Sequence, residues 1–174
     1  MIDANTDRIA RATMYRVTGT VTVSARSNIH DSRAVWRKLT GQVNADPHAL
    51  EAATATLSVD MASFDAGDWL KNRRIRNDFD VERNPTATFQ LTRVTDVKRD
   101  GNRFEATATG TLTWRGAEIP LTVAGKGVVD AQRLEAAASF SLDITRFGVK
   151  PPKILMFKVE DVVAVDVAIA GSAA

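Results

Sequence analysis

The run from Phe104 to Val129, FEATATGTLTWRGAEIPLTVAGKGVV, decides how this chain is read. Phe104, Ala106, Ala108, Gly110, Leu112 and Trp114 take alternate positions, and Glu105, Thr107, Thr109, Thr111 and Thr113 lie between them. Successive side chains of a strand point to opposite faces, so this is a strand with one apolar and one hydroxyl-rich face. Arg115-Gly116 turns the chain, and Ile119, Leu121, Val123, Gly125, Gly127 and Val129 resume the period.

The same alternation extends in both directions. Toward the N-terminus, Val17, Gly19, Val21, Val23 and Ala25 form one apolar face. Leu39, Gly41, Val43 and Ala45 form a second, closed by Asp46-Pro47, and Ala53, Ala55, Leu57, Val59 and Met61 a third. The stretch from Ser27 to Trp36 reads as mixed. Ala87, Phe89 and Leu91 open a fourth strand whose register slips at Val94, which predicts a bulge near Thr92-Arg93. Asp100-Gly101 is a hairpin signal. Toward the C-terminus, Asp130-Ala131-Gln132 turns into Leu134, Ala136, Ala138, Phe140 and Leu142. After Phe147-Gly148 and Pro151-Pro152, the last strand uses Val163, Val165, Val167 and Ile169.

One segment breaks the pattern. Between Met61 and Ala87, Trp69 to Phe79 reads as a helix, with Asp68 as its N-cap and acids near its start. Trp69, Asn72, Arg73 and Arg76 share one face of it. The chain is thus all-β, with about eight antiparallel strands, one short helical insertion and no βαβ alternation. A sandwich and an up-and-down barrel both satisfy that pattern; the meander is the simpler topology, and a closed barrel removes its own edges.

At 174 residues, 44% hydrophobic and 25% charged, the chain has the composition of one soluble domain. With 23 basic against 21 acidic side chains, the net charge of +2 gives no nucleic-acid footprint. The absence of cysteine excludes disulfides, thiolate catalysis and cysteine-held metals. Residues 1–14 are expected to form a flexible arm and residues 15–171 one barrel domain. No apolar leader core or membrane-length segment is present, so the expected location is cytoplasmic for a complete chain, and periplasmic or secreted if a leader was removed.

The apolar faces are unusual in size. Ala53 and Ala55, Ala106, Ala108 and Gly110, Gly125 and Gly127, and Ala136 and Ala138 place small residues inward on four strands. Either these leave volume for a hydrophobic ligand, or they let a second layer approach closely. The pattern alone leaves both readings open.

The blocks VDMASFDAGD, NDFDVERNPTATFQLTRV, GTLTWRGAEIPLTVAGKG and DITRFGVKPP, followed by VEDVVAVDVAIAG, together resemble the YceI-like family from about Tyr15 to Gly171. Asp80-Val81-Glu82 with Pro85 and Phe89, the Gly110 to Gly116 hairpin and Arg146-Phe147-Gly148 carry the resemblance best. It implies an extended, lipocalin-like antiparallel barrel holding an isoprenoid chain, often in a homodimer. Two departures stand out. Lys71 to Phe79 keeps only Phe79 of the family's Phe-Phe doublet and lacks its His, and the loop after Ser27 is shorter. Both sit where the barrel mouth is expected.

The resulting expectation is a non-enzymatic barrel that sequesters a long hydrophobic ligand, an isoprenoid or isoprenoid-quinone type of lipid, for transport or storage. Phe89, Leu91, Phe104, Ala106, Ala108, Leu121, Val123, Phe140 and Val165 are expected to line the cavity, with Trp69, Arg73 and Phe79 near its mouth. The expected partners are that lipid, a second copy of the chain and, transiently, a membrane surface, with no nucleic acid. No metal or cofactor other than a bound isoprenoid lipid is expected. Two alternatives belong to other classes. One is a ligand-free interaction module acting through the basic helix of residues 68–79, where Lys71, Arg73, Arg74 and Arg76 cluster. The other is a cavity enzyme using His30, which neighbours Asp31 but has no ligand-like spacing to His48.

Overall fold

The computed structural model describes residues 12–25, 32–150, 153–154, 157–158 and 162–174. The strands are β1 (Thr13–Ala25), β2 (Ser32–Asp46), β3 (Ala49–Asp60), the short β4 (Phe64–Asp65), β5 (Thr86–Asp100), β6 (Arg103–Trp114), β7 (Ala117–Val129) and β8 (Arg133–Asp143). They continue with the two-residue β9 (Lys153–Ile154) and β10 (Phe157–Lys158), and end with β11 (Val162–Ala173). Helix α1 (Trp69–Asp78) follows β4, and a 3-10 turn (Ile144–Phe147) follows β8.

Eight long strands pair in the order β1-β11-β8-β7-β6-β5-β3-β2, and β1 also pairs β2, which closes the ring. Every pairing is antiparallel. Closure leaves no edge strand among the eight and sets inward residues against outward ones around the whole wall. The barrel reading holds, and the sandwich does not.

The local signals do what their chemistry requires. Arg115 and Gly116 both adopt positive φ, 53° and 75°, the conformation that a two-residue hairpin between twisted strands needs. The β5–β6 register shifts between Leu91 and Arg93, the expected bulge, and again between Thr95 and Lys98, where Asp96 has φ 53°. Asp68 caps α1, its carboxylate accepting from the Lys71 amide at 2.8 Å. The first turn itself carries no acid, so the N-cap alone opposes the orphan amides there.

One segment differs from its sequence reading. Ser32 to Trp36 belongs to β2, with Ala34 and Trp36 buried. The stretch looked mixed because Arg37 and Lys38 are both exposed, which flips the parity of the alternation before Leu39. The β1–β2 register shifts at the same level, between Gly19 and Val21. Residues 1–11 of the expected arm, with His30 and Asp31, lie outside the described residues; Thr13 and Met14 already belong to β1.

Buried side chains gather in two clusters at opposite ends. One contains Trp36, Phe64, Val81, Trp114, Ile144 and Phe147. The other contains Tyr15, Val43, Leu50, Ala53, Val129 and Leu134. At this second end the fully buried Tyr15 donates its hydroxyl to the Asp130 carbonyl at 2.5 Å, tying β1 to the β7–β8 turn. The Asp130 carboxylate holds the same turn by accepting from the Gln132 and Arg133 amides. Those two bonds to the charged form put its pKa below the ordinary carboxylate value.

Tyr15→Phe keeps the ring and removes the donor to the part-buried Asp130 carbonyl. It is expected to lower the unfolding free energy by about 1–1.5 kcal/mol in urea titrations, with the urea dependence unchanged.

Candidate functional site

Between the two clusters lies a cavity of about 310 Å³. That is near the lower end of small-molecule pockets, which run roughly 300–1,000 Å³. All eight long strands contribute inward residues to its wall. Apart from Lys126, Met61 and the indoles of Trp36 and Trp114, the described lining residues are aliphatic, phenylalanine or glycine. Such a surface offers burial and almost no directional polar contact.

All nine residues expected to line the cavity, from Phe89 to Val165, border it. Phe79 borders it too. Trp69 and Arg73, expected with Phe79 at a mouth, do not: Trp69 is 73% exposed, and Arg73 is exposed on the same face of α1. The helix turns Ile75 toward the barrel and ends at Phe79, four residues on, which leaves Trp69, Arg73 and Arg76 outward. Lys71 pairs with Asp68 at 3.8 Å. Burial raises the Asp78 pKa, partly offset by the neighbouring Arg74 guanidinium.

The small inward residues divide into two kinds. Ala53, Ala55, Ala106, Ala108, Gly125, Ala136 and Ala138 border the cavity. Gly110 and Gly127 do not. A Cβ on Gly110 would run into the Phe89 ring and the Gln90 carbonyl, and one on Gly127 into the Glu135 carbonyl. The close contacts at Gly110 and Gly127 are with the neighbouring strands of the same sheet, not with a second layer.

Aromatic rings close the helical end. Phe64, Trp36, Phe79, Trp114 and Phe147 form a chain of contacts with centroids 5.7, 6.0, 5.1 and 5.5 Å apart. Trp36 donates its indole N–H to the Met61 carbonyl at 3.2 Å, and Arg76 lies 5.6 Å from the Phe64 ring centre. Arg115 fastens this lid. Its Nε donates to the Phe147 carbonyl at 2.9 Å and a terminal nitrogen to the Phe79 carbonyl at 2.7 Å. One guanidinium thereby joins the β6–β7 hairpin, the end of α1 and the 3-10 turn. Sequence reasoning saw Arg115 only as a turn residue. An arginine at the first position of a two-residue hairpin, where Asn, Asp or Gly is usual, was the signal the sequence offered.

Among the described residues no three His, Asp or Glu side chains gather to hold a metal. His48 sits in the β2–β3 turn, its amide donating to the Asp46 carboxylate at 2.8 Å.

The YceI-like domain family matches residues 9–170. Among solved structures, the chain is similar to Burkholderia cenocepacia BcnA, at 24% identity and TM-score 0.74, over 87% of this chain and 95% of that one. It is similar to a polyisoprenoid binding domain from Saccharophagus degradans, at 12% identity and TM-score 0.72, over 93% and 99%. A Campylobacter jejuni YceI protein follows at 14% identity and TM-score 0.66, over 86% and 85%. At these identities the likeness establishes the fold. A search of curated protein sequences finds no match.

Three expectations follow from this geometry. Arg115→Ala should lower stability by about 2 kcal/mol in chemical denaturation, because charged hydrogen bonds to two carbonyls are lost. Gly110→Ala should cost about 1–3 kcal/mol by overpacking Phe89. Gly125→Ala should be close to neutral, since its nearest non-neighbour atom, the Ala137 carbonyl oxygen, would lie at 3.4 Å.

Proposed function

This chain belongs to the YceI-like domain family, and from that premise we propose that it binds a long apolar molecule of isoprenoid type inside the barrel, for transport or storage. The observation that carries the reading is the apolar cavity of about 310 Å³ enclosed by the eight-stranded wall. A barrel filled by its own side chains, as an interaction module would have it, leaves no such volume. Water gains little in a space that offers so few hydrogen-bonding partners, so a hydrocarbon chain is the better occupant.

Affinity in this reading comes from burial, at roughly 25 cal/mol per Å² of apolar surface, less the cost of ordering the chain. Selectivity comes from length and girth, because the lining discriminates poorly among head groups. A long isoprenoid exceeds the cavity, so part of the chain or its head remains outside. The Saccharophagus degradans relative is described as a polyisoprenoid binding domain; we carry that ligand class to this chain as part of the proposal.

Organic extraction and mass spectrometry of the purified protein test it. A recurrent long-chain lipid is expected. Clean protein that also fails to bind an added isoprenoid quinone would overturn the reading. Ala108 stands on β6 between Val94 of β5 and Val123 of β7. Ala108→Trp fills the cavity there and should weaken uptake roughly ten-fold or more, about 1.4 kcal/mol, while the circular dichroism spectrum stays native. Unchanged uptake would place the ligand elsewhere.

A further inference from the structure

The barrel wall is not hydrogen-bonded along all of its seams. β6 and β7 pair from Arg103–Val128 to Trp114–Ala117, the full length of the hairpin. β8 pairs on its other side with β11 from Arg133 to Asp143. Between β7 and β8, however, the ladder runs only from Gly125–Ala138 to Val129–Leu134. Above it, Ala117 to Ala124 and Ser139 to Asp143 face each other without pairing, an unzipped length of roughly 17 Å on the β8 side at 3.4 Å per residue.

The two glycines of β7 mark where the strands begin to part. A Cβ on Gly127 would collide with β8, whereas one on Gly125 would meet it at ordinary contact distance. Pro120 lies within the unzipped stretch. Proline has no amide to give a ladder and is tolerated where a strand has an unpaired side.

Continuing the ladder's register, Leu121 would face Leu142 and Val123 would face Phe140, and all four border the cavity. The outward residues along the lower part of the slot, Thr122, Ala124, Ser139 and Ser141, are small, uncharged and exposed, while Glu118, Pro120 and Asp143 stand outward at its upper end.

We propose that this slot is the route by which an apolar chain reaches the cavity, side-on through the wall; the proposal rests on the ligand reading above. Both ends of the barrel are closed. The helical end is stopped by five aromatic rings fastened by Arg115. The other end is stopped by fully buried Tyr15 and Val129. The β3–β5 seam is also short, ending at Ala55–Leu91; buried Leu50, Ala53 and Val94 lie along its unpaired half, and the hollow outside it is walled by the polar Gln42, Asn44, Thr54, Thr56 and Gln90, a poorer path for an apolar chain than the β7–β8 slot.

Energetics favour the slot as well. Parting a zipped seam by six residues breaks several backbone hydrogen bonds. Opening the β7–β8 slot breaks no ladder bond and separates only side chains. It also gives the surplus length of a long ligand a place to leave the barrel.

The test bridges the slot. The chain has no cysteine, so Thr122→Cys with Ser141→Cys, joined by a short bis-maleimide, pins the two strands together from outside the cavity. The same variant capped with N-ethylmaleimide is the unbridged reference. A second bridge, Thr18→Cys with Ala170→Cys, spans the zipped β1–β11 seam, where the two residues are register partners and both exposed. Association of cis-parinaric acid is followed by stopped-flow fluorescence. The slot bridge should slow association roughly ten-fold or more against the capped form, and the β1–β11 bridge should leave it unchanged. Unchanged association through the slot bridge overturns the route and leaves the ligand reading standing. If the capped protein binds neither this probe nor an isoprenoid quinone, the ligand reading falls and the route with it.

Discussion

An eight-stranded closed ring has a circumference fixed by strand number and stagger, so its interior width is set before any inward side chain is chosen. Everything else in this molecule answers that constraint. Large inward residues fill such a ring; small ones leave it hollow. At the two ends, Trp36, Trp114 and Phe147, and then Tyr15, Leu50 and Leu134, fill it. In the middle, Ala55, Ala106, Ala108 and Ala138 leave it open. The cavity is the part of a predetermined volume that this sequence declines to occupy.

A hollow barrel needs its ends held, because an apolar void contributes no packing of its own. The helical end solves this with a lid rather than with more wall. Helix α1 has no fully buried residue and packs on the core only through the partly buried Ile75. It is held also by its N-cap, by the Asn72 side chain accepting from the Ala66 amide at 2.6 Å, and by Arg115 gripping the Phe79 carbonyl. Phe79 then needs only to stack on Trp36 and meet Trp114 edge-on. The basic residues on the helix follow from this arrangement. With Ile75 and Phe79 turned inward, Arg73 and Arg76 can only be outside.

Much of the fold was legible because a half-buried strand prints its geometry as a period of two. The hairpins at Asp100-Gly101, Arg115-Gly116 and Asp130 to Gln132, the bulge near Thr92, the cap at Asp68 and most of the cavity wall could be read from neighbours in the chain. The failures share a cause. At Arg37-Lys38 a local irregularity reversed the parity and hid Trp36, the centre of the lid. Arg115 looked like a turn residue because its acceptors lie 32 and 36 residues away.

By itself, the sequence determined the strand count, the alternation, the turns and which side chains share a face, since these depend on residues a few positions apart. Tertiary structure alone decided what the small residues mean. Ala108 and Gly110 are identical in pattern, yet one borders a void and the other is pressed against Phe89, because that depends on how a neighbouring strand coils past. It also decided that β7 and β8 part company above Gly125. Pro120 hinted at an unpaired side, but whether a ladder closes there depends on where the ring's twist carries β8, and only the closed ring fixes that.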